Sequence, residues 1–111
     1  MDETPYDTLY FAESSTLMVL GCVDELHVDA FREAVREASL DHHRDLVVDL
    51  TEAEFIPSIA IGVLVGATKA CRANGATLRL EARSGTIARR VLDICGMPAA
   101  EPRVGPDPAP A

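Results

Sequence analysis

Residues 55–75 read FIPSIAIGVLVGATKACRANG. From Phe55 to Thr68 there is no charge, and Ser58, near the start, is the one strong polar side chain. The near-continuous apolar run is about 13 residues, and a membrane span needs ~20, so the stretch is expected inside a globular domain. Ile59, Val63, Ala67 and Ala70 or Cys71 recur at helical spacing, while Ile61, Leu64 and Val65 cover the other sides. A helix that is apolar nearly all round is buried on more than one side. One sheet covers only part of it, and the rest is a candidate surface for a protein partner. Ser58 stands at the end where that surface begins. Pro57 steers Ile56 away from helical dihedrals, so the helix is expected to start at Pro57 or Ser58. Asn74-Gly75 supplies the stop, with Gly75 free to take the left-handed conformation. Gly62-x-x-x-Gly66 is read as letting the helix backbone approach the sheet.

Working outward, Leu46–Leu50 (LVVDL) is an apolar run of strand length, as expected of a strand buried on both faces. Thr8–Ala12 and Thr16–Val23 are rich in β-branched, aromatic and aliphatic residues, joined by the polar Glu13-Ser14-Ser15 as a hairpin. Gly21 marks a bulge or a close backbone approach. Asp24 and Asp29 bracket a helix start at which His27 sits. Val28, Phe31, Val35 and Leu40 form the apolar stripe of that helix, opposite Arg32, Glu33, Arg36 and Glu37. Ala76–Glu81 alternates as a half-buried strand. Ser84 is expected to open a last helix with Ile87, Val91 and Ile94 at core spacing and Gly96 at its end. Arg103-Val104 is a candidate edge strand. The predicted order is β-β-α-β-α-β-α plus a short β, in an α/β fold. Its mixed sheet has four or five strands, with the helices packed mainly on one face. Residues 1–104 form the domain, and the proline-rich 105–111 is expected to be a disordered tail.

Composition narrows the function. A chain of 111 residues buries a core without disulfide staples. The formal net charge of −8 argues against nucleic acid and against anionic membrane surfaces. The acidic N-terminus, MDETPYDT, has neither the basic start nor the apolar run of a signal peptide, so the chain is expected to be cytoplasmic. Cys22, Cys71 and Cys95 lack metal-ligand spacing and are read as reduced, mostly buried thiols. His42 and His43 lie in the polar connection DHHRD, without the companions a metal site needs. No cofactor is implied. Ile56-Pro57-Ser58-Ile59-Ala60 lacks the G-x-S-x-G elbow, and no histidine has an evident triad role, so catalysis is not expected.

The order of elements and several residue groups together resemble the STAS domain of bacterial anti-sigma factor antagonists, over about Thr16 to Met97. The groups are Leu20-Gly21-x-Val23-Asp24, Leu46-Val47-Val48-Asp49-Leu50, Phe55-Ile56-x-Ser58-x-x-Ile61-Gly62-Val63-Leu64, Gly75-Ala76-x-Leu78-x-Leu80, and Ile87 through Ile94-x-Gly96-Met97. The resemblance implies a switch rather than an enzyme. Family members bind an anti-sigma factor, often a histidine-kinase-like ATPase acting as a serine kinase, and so release the sigma factor. Phosphorylation of a serine at the start of the second helix abolishes binding, and Ser58 occupies that position. The family pattern Asp-Ser-Ser/Thr-Gly-Leu-Gly is here Pro57-Ser58-Ile59-Ala60-Ile61-Gly62.

The implied partner surface comprises Asp24, Asp49, Pro57, Ser58, Ile59, Ile61 and Gly62. Asp24 and Asp49 end strands on the same side and either lie near Ser58 or cap local turns. Ser58 itself is either a helix cap or a phosphorylation site. The alternative is a STAS-type scaffold or sensor subunit that binds protein or a small ligand without phosphorylation. The departures at Pro57, Ile59 and Ala60 favour that alternative. A monomer or weak homodimer is expected.

Overall fold

The computed structural model describes residues 5–103. Val104 and the tail 105–111, with the expectations placed on them, lie outside the described residues. The elements run β1 (Asp7–Phe11), β2 (Thr16–Cys22), α1 (Val28–Ala38), β3 (Leu46–Asp49), β4 (Ala53–Phe55), α2 (Ser58–Ala73), β5 (Leu78–Glu81) and α3 (Ile87–Ile94). They build a five-stranded mixed sheet in the order β1-β2-β3-β5, with β4 also on β2. β1 is antiparallel to β2, and the β2–β3, β3–β5 and β2–β4 pairs are parallel.

The strand register sorts side chains onto two faces. Leu17 and Val19 of β2, Leu46 and Val48 of β3, and Leu78 and Leu80 of β5 share one face. They form one core with Phe31 and Val35 of α1, Ala60, Leu64 and Cys71 of α2, and Ala88 and Leu92 of α3. Thr16, Met18, Val47, Asp49 and Glu81 point to the opposite, helix-free face and are also buried. The expected one-sided packing and the doubly buried β3 are both found.

β4 is a strand that the sequence pattern hides. TEAEF reads as a connection because β4 is three residues long and buries only Ala53. What creates it is Gly21, at φ 79°, where the β2–β4 register shifts between Gly21 and Cys22. Residues 16–18 of β2 pair with β3. Beyond the bend, the Gly21 N–H donates to the Glu52 carbonyl at 3.2 Å and the Val23 N–H to the Phe55 carbonyl at 3.3 Å.

Other expectations are corrected. Leu40 leaves the α1 stripe because Leu40, Asp41 and His42 all take positive φ (51°, 59° and 69°). Ala38 closes the stripe instead. The edge contact falls at Ala100 rather than Arg103. The Ala100 N–H donates to the Leu80 carbonyl at 3.0 Å, and the Ala100 carbonyl accepts from the Ala82 N–H at 2.9 Å. Of the cysteines only Cys71 is buried, with Cys22 half-buried and Cys95 exposed. Burial, and then the Asp45 carboxylate, push the Cys71 thiol pKa up.

α3 is turned relative to expectation. Its apolar residues make two overlapping stripes, 87-91-94 and 88-92, and the second faces the core. Ala88 and Leu92 are buried, whereas Ile87 is 60% and Ile94 79% exposed. The small Ala88 permits close approach, and Arg89 anchors the helix by donating from Nη1 to the Ala82 carbonyl at 2.9 Å. The N-cap is Thr86, whose hydroxyl accepts from the Arg89 N–H at 3.2 Å. Ser84 instead hydrogen-bonds Glu101.

Gly62 and Gly66 do not approach the sheet. Both are exposed, and a Cβ added at either would meet nothing within 4 Å.

Two measurements check this packing. Leu92→Ala is expected to remove ~2–5 kcal/mol of unfolding free energy in urea, while Ile94→Ala changes it by less than about 0.5 kcal/mol. The reverse ranking would mean that α3 buries its other stripe. Gly66→Ala should add about 0.5–1 kcal/mol, because a helical glycine with open space around it has only its backbone entropy to lose. A loss of stability would show a hidden contact at that position.

Candidate functional site

The site is built where β2 and β4 end side by side. Their pairing brings the Asp24–His27 loop next to the Phe55–Ser58 loop, linked through the Val23–Phe55 hydrogen bond. Within the first loop, Asp24 Oδ1 accepts from the Leu26 N–H at 3.0 Å and lies 2.7 Å from His27 Nδ1. Asp24 therefore caps its own turn. The Tyr6 ring stacks on His27 with centroids 4.9 Å apart. Burial, and then the Asp7 carboxylate, push the Tyr6 hydroxyl pKa up.

α2 begins at Ser58 with Pro57 as its N-cap, at φ −72° and ψ 168°. The Pro57 carbonyl accepts from the Ala60 and Ile61 N–H groups at 2.9 and 3.1 Å. No side chain caps this helix, so the expectation that Ser58 is a cap is not met. A cap acts from the residue before the first helical one, and proline fills that place. Ser58 is thus an exposed hydroxyl on the first helical residue. The leading N–H groups of a helix lack intrahelical acceptors.

The surroundings of Ser58 are apolar with an acidic rim. Ile59 is 44% exposed and Phe55 52%. Pro57 is half-buried, Ile61 is half-buried against the core, and Gly62 is open to solvent. Glu25 is exposed on the first loop and Glu54 on β4 just before the second, with Glu52 exposed at the turn that opens β4. From Ile59 a groove runs between α1 and α2, lined by Arg32, Val35 and His42 on one side and Gly62, Val63 and Gly66 on the other. The exposed Phe55 and Leu26 stand on the same surface, though the sequence reading did not include them in the candidate site. Leu26 stands singly in a polar stretch and Phe55 merges with the apolar run that reads as helix core, and only the β2–β4 pairing brings their loops together.

Asp49 lies elsewhere. It is fully buried on the helix-free face, in register with Met18 and Glu81. Its Oδ1 accepts from the Thr51 N–H at 3.0 Å. The structure therefore joins Asp24, Pro57, Ser58, Ile59 and Gly62 at one end of the sheet and withdraws Asp49 from the surface. Among the described residues no group of three or more His, Cys, Asp or Glu side chains can hold a metal ion. No helix among them is long and apolar enough to cross a membrane.

Comparisons with known proteins agree with this architecture. An anti-sigma factor antagonist from Mycobacterium paratuberculosis superposes with a TM-score of 0.71 at 21% identity, over 89% of this chain and 88% of its own. The anti-sigma factor antagonist SpoIIAA in its unphosphorylated form gives 0.62 at 18% identity, over 86% and 88%. A proposed anti-sigma factor antagonist from Thermotoga maritima gives 0.62 at 16%, over 89% and 86%. At such identities these likenesses concern the fold. No protein of curated function matches the sequence. The family model described as "STAS domain" matches residues 12–106, nearly the whole chain, and the chain belongs to the STAS domain family.

Proposed function

We propose that this domain is an anti-sigma factor antagonist, a binding module rather than an enzyme. It acts in the cytoplasm on an anti-sigma factor that is also a serine kinase of the histidine-kinase-like ATPase type. The observation that carries the reading is Ser58: exposed on the first residue of α2, outside any cap, and flanked by exposed Phe55 and Ile59. The groove between α1 and α2 continues the contact surface, and its exposed glycines let a partner backbone come close. The acidic rim favours a basic surround on the partner.

In the switch, the partner transfers the γ-phosphoryl group of ATP to Ser58 Oγ, the hydroxyl proton leaves and ADP is released. The domain tolerates the product. A phosphate on the first helical residue meets the positive end of the helix dipole, a gain of ~0.3–1 kcal/mol. At the interface the same group adds about −1.5 to −2 of charge to an apolar surface, which opposes docking through desolvation.

A second reading, an unphosphorylated scaffold or sensor, has its own support. Ile59, exposed on the surface next to Ser58, stands where the family pattern has a hydroxyl. Ala60 is fully buried, its methyl locked into the core.

The two readings separate in one binding assay with the kinase-type anti-sigma factor of the same cell. Ser58→Ala should bind within about twofold of the parent and resist the kinase. It should lose less than about 0.5 kcal/mol of stability, since there is no cap bond to remove. Ser58→Asp should stay folded yet bind at least about tenfold more weakly, a difference near 1.4 kcal/mol. Equal binding by all three, with no phosphate on Ser58 after incubation with ATP, would assign the domain to the scaffold reading.

A further inference from the structure

The two edges of the sheet are finished differently. The outer side of β5 is bridged by Ala100. β1 is the opposite edge, and among the described residues its outer side pairs with no strand. Natural edges are blunted by charge, proline or bulges. β1 reads Asp-Thr-Leu-Tyr-Phe and carries one charge, at its start, with unbroken register against β2 along its length. Leu9 is 47% exposed, and Tyr10 and Phe11 are exposed as well.

One hydrogen bond tells which groups face outward. The Thr8 N–H donates to Asp7 Oδ1 at 2.8 Å, so it is turned away from β2. By the alternation of an antiparallel ladder, the Tyr10 N–H faces outward too, and the Leu9 N–H faces β2.

We propose that β1 pairs antiparallel with β1 of a second copy of this chain, about a two-fold axis at Leu9. In that register Thr8 and Tyr10 of opposite copies exchange N–H···O=C bonds. The two Leu9 side chains meet as the closely spaced, non-hydrogen-bonded pair. Asp7 faces Phe11 of the second copy, so no like charges stand opposite. Centring on Leu9 pairs every residue from Asp7 to Phe11. Centring on Thr8 or Tyr10 leaves the two at one end unpaired. Leu9 and Phe11 project from the helix-free face, in register with Met18 and Thr16, so the pairing joins two helix-free faces into one apolar strip. The Tyr10 ring stays on the helix side, where its hydroxyl accepts from Arg44 Nη2 at 2.7 Å.

The Asp7 carboxylate is the competitor in this exchange. It holds the Thr8 N–H in the single chain, and its charge adds to the self-repulsion of a chain with net charge −8. The interface runs along the outer edge of β1, whereas the proposed partner site is carried by α2 and the loop before it, so each can fail without the other.

Sedimentation equilibrium of the full chain over a concentration series tests the pairing. The parent should dimerise reversibly, more tightly as salt is raised. Leu9→Lys, which puts two cations at the axis, should raise the dimer dissociation constant at least about tenfold. Thr8→Pro should do the same, because it deletes an outward N–H while leaving the bonds to β2 intact. Asp7→Ala should lower the constant, a gain that misfolding cannot imitate. Ile59→Lys, at the other site, should leave it unchanged. A chain that stays monomeric at every concentration overturns the proposal. So does a dimer indifferent to Leu9→Lys and Thr8→Pro, or one broken by Ile59→Lys instead.

Discussion

The partner exchange made by β2 is the constraint on which the working end of the molecule depends. At φ 79° Gly21 occupies a region that costs other L-residues about 1–2 kcal/mol. The bend there lets β2 leave β3 and take up β4 within one strand. Without it the polypeptide between β3 and α2 would have no sheet partner. The Phe55–Ser58 loop would then lose its placement against the Asp24–His27 loop. A backbone conformation thus fixes where the first turn of α2 emerges. The side chains at the site mostly serve to shape its surface.

Much of this fold was legible because its main signals are long. The all-round apolarity of α2, the LVVDL strand and the Asn74-Gly75 stop each involve several residues that agree. Where reading failed, the competing signals were short or degenerate. β4 has a single buried residue. α3 has two apolar stripes, and the choice between them is made by Arg89 reaching the Ala82 carbonyl, a contact invisible in a helical wheel. Leu40 fits the α1 period, but the chain has already turned left-handed there. Ser58 was expected at the helix start from its place near the head of the apolar run, and it is the first residue of α2. Its lack of a capping role follows from Pro57 occupying the cap, a one-residue offset that sequence patterns resolve poorly. Asp49 meets the turn-capping reading, at the Thr51 N–H, because strand parity, not proximity to the strand end, decides which face a side chain joins.

The helix-free face holds an arrangement that composition alone does not suggest. Asp49 and Glu81 are register partners on adjacent strands, and both are fully buried. Two carboxylates side by side in a protein interior are unfavourable unless other groups answer them. Glu81 is answered by the Arg103 N–H and by Arg103 Nε, each at 3.3 Å, with Arg79 at 3.8 Å. Asp49 is answered on one oxygen only, by Thr51. The segment up to Arg103 is therefore part of the domain's electrostatic balance, in addition to covering the β5 edge through Ala100.

The weak points of α2 all lie on one surface. Its N-terminus has no side-chain cap, whereas α3 has Thr86. Its exposed side carries two glycines that no internal contact requires. Each feature lowers intrinsic helix stability by an amount on the order of 1 kcal/mol, yet the buried side of the same helix is filled by Ala60, Leu64, Ala67 and Cys71. The core can therefore hold α2 while its outer face is left suboptimal. An uncapped first turn leaves N–H groups ready to receive a phosphate. A glycine-lined groove leaves room for a partner's backbone. These are properties that a surface selected for stability alone would lose first. They share the outer face of α2 that begins at Ser58, away from the better-finished α3 and β5, and that shared placement is what supports the proposed contact surface.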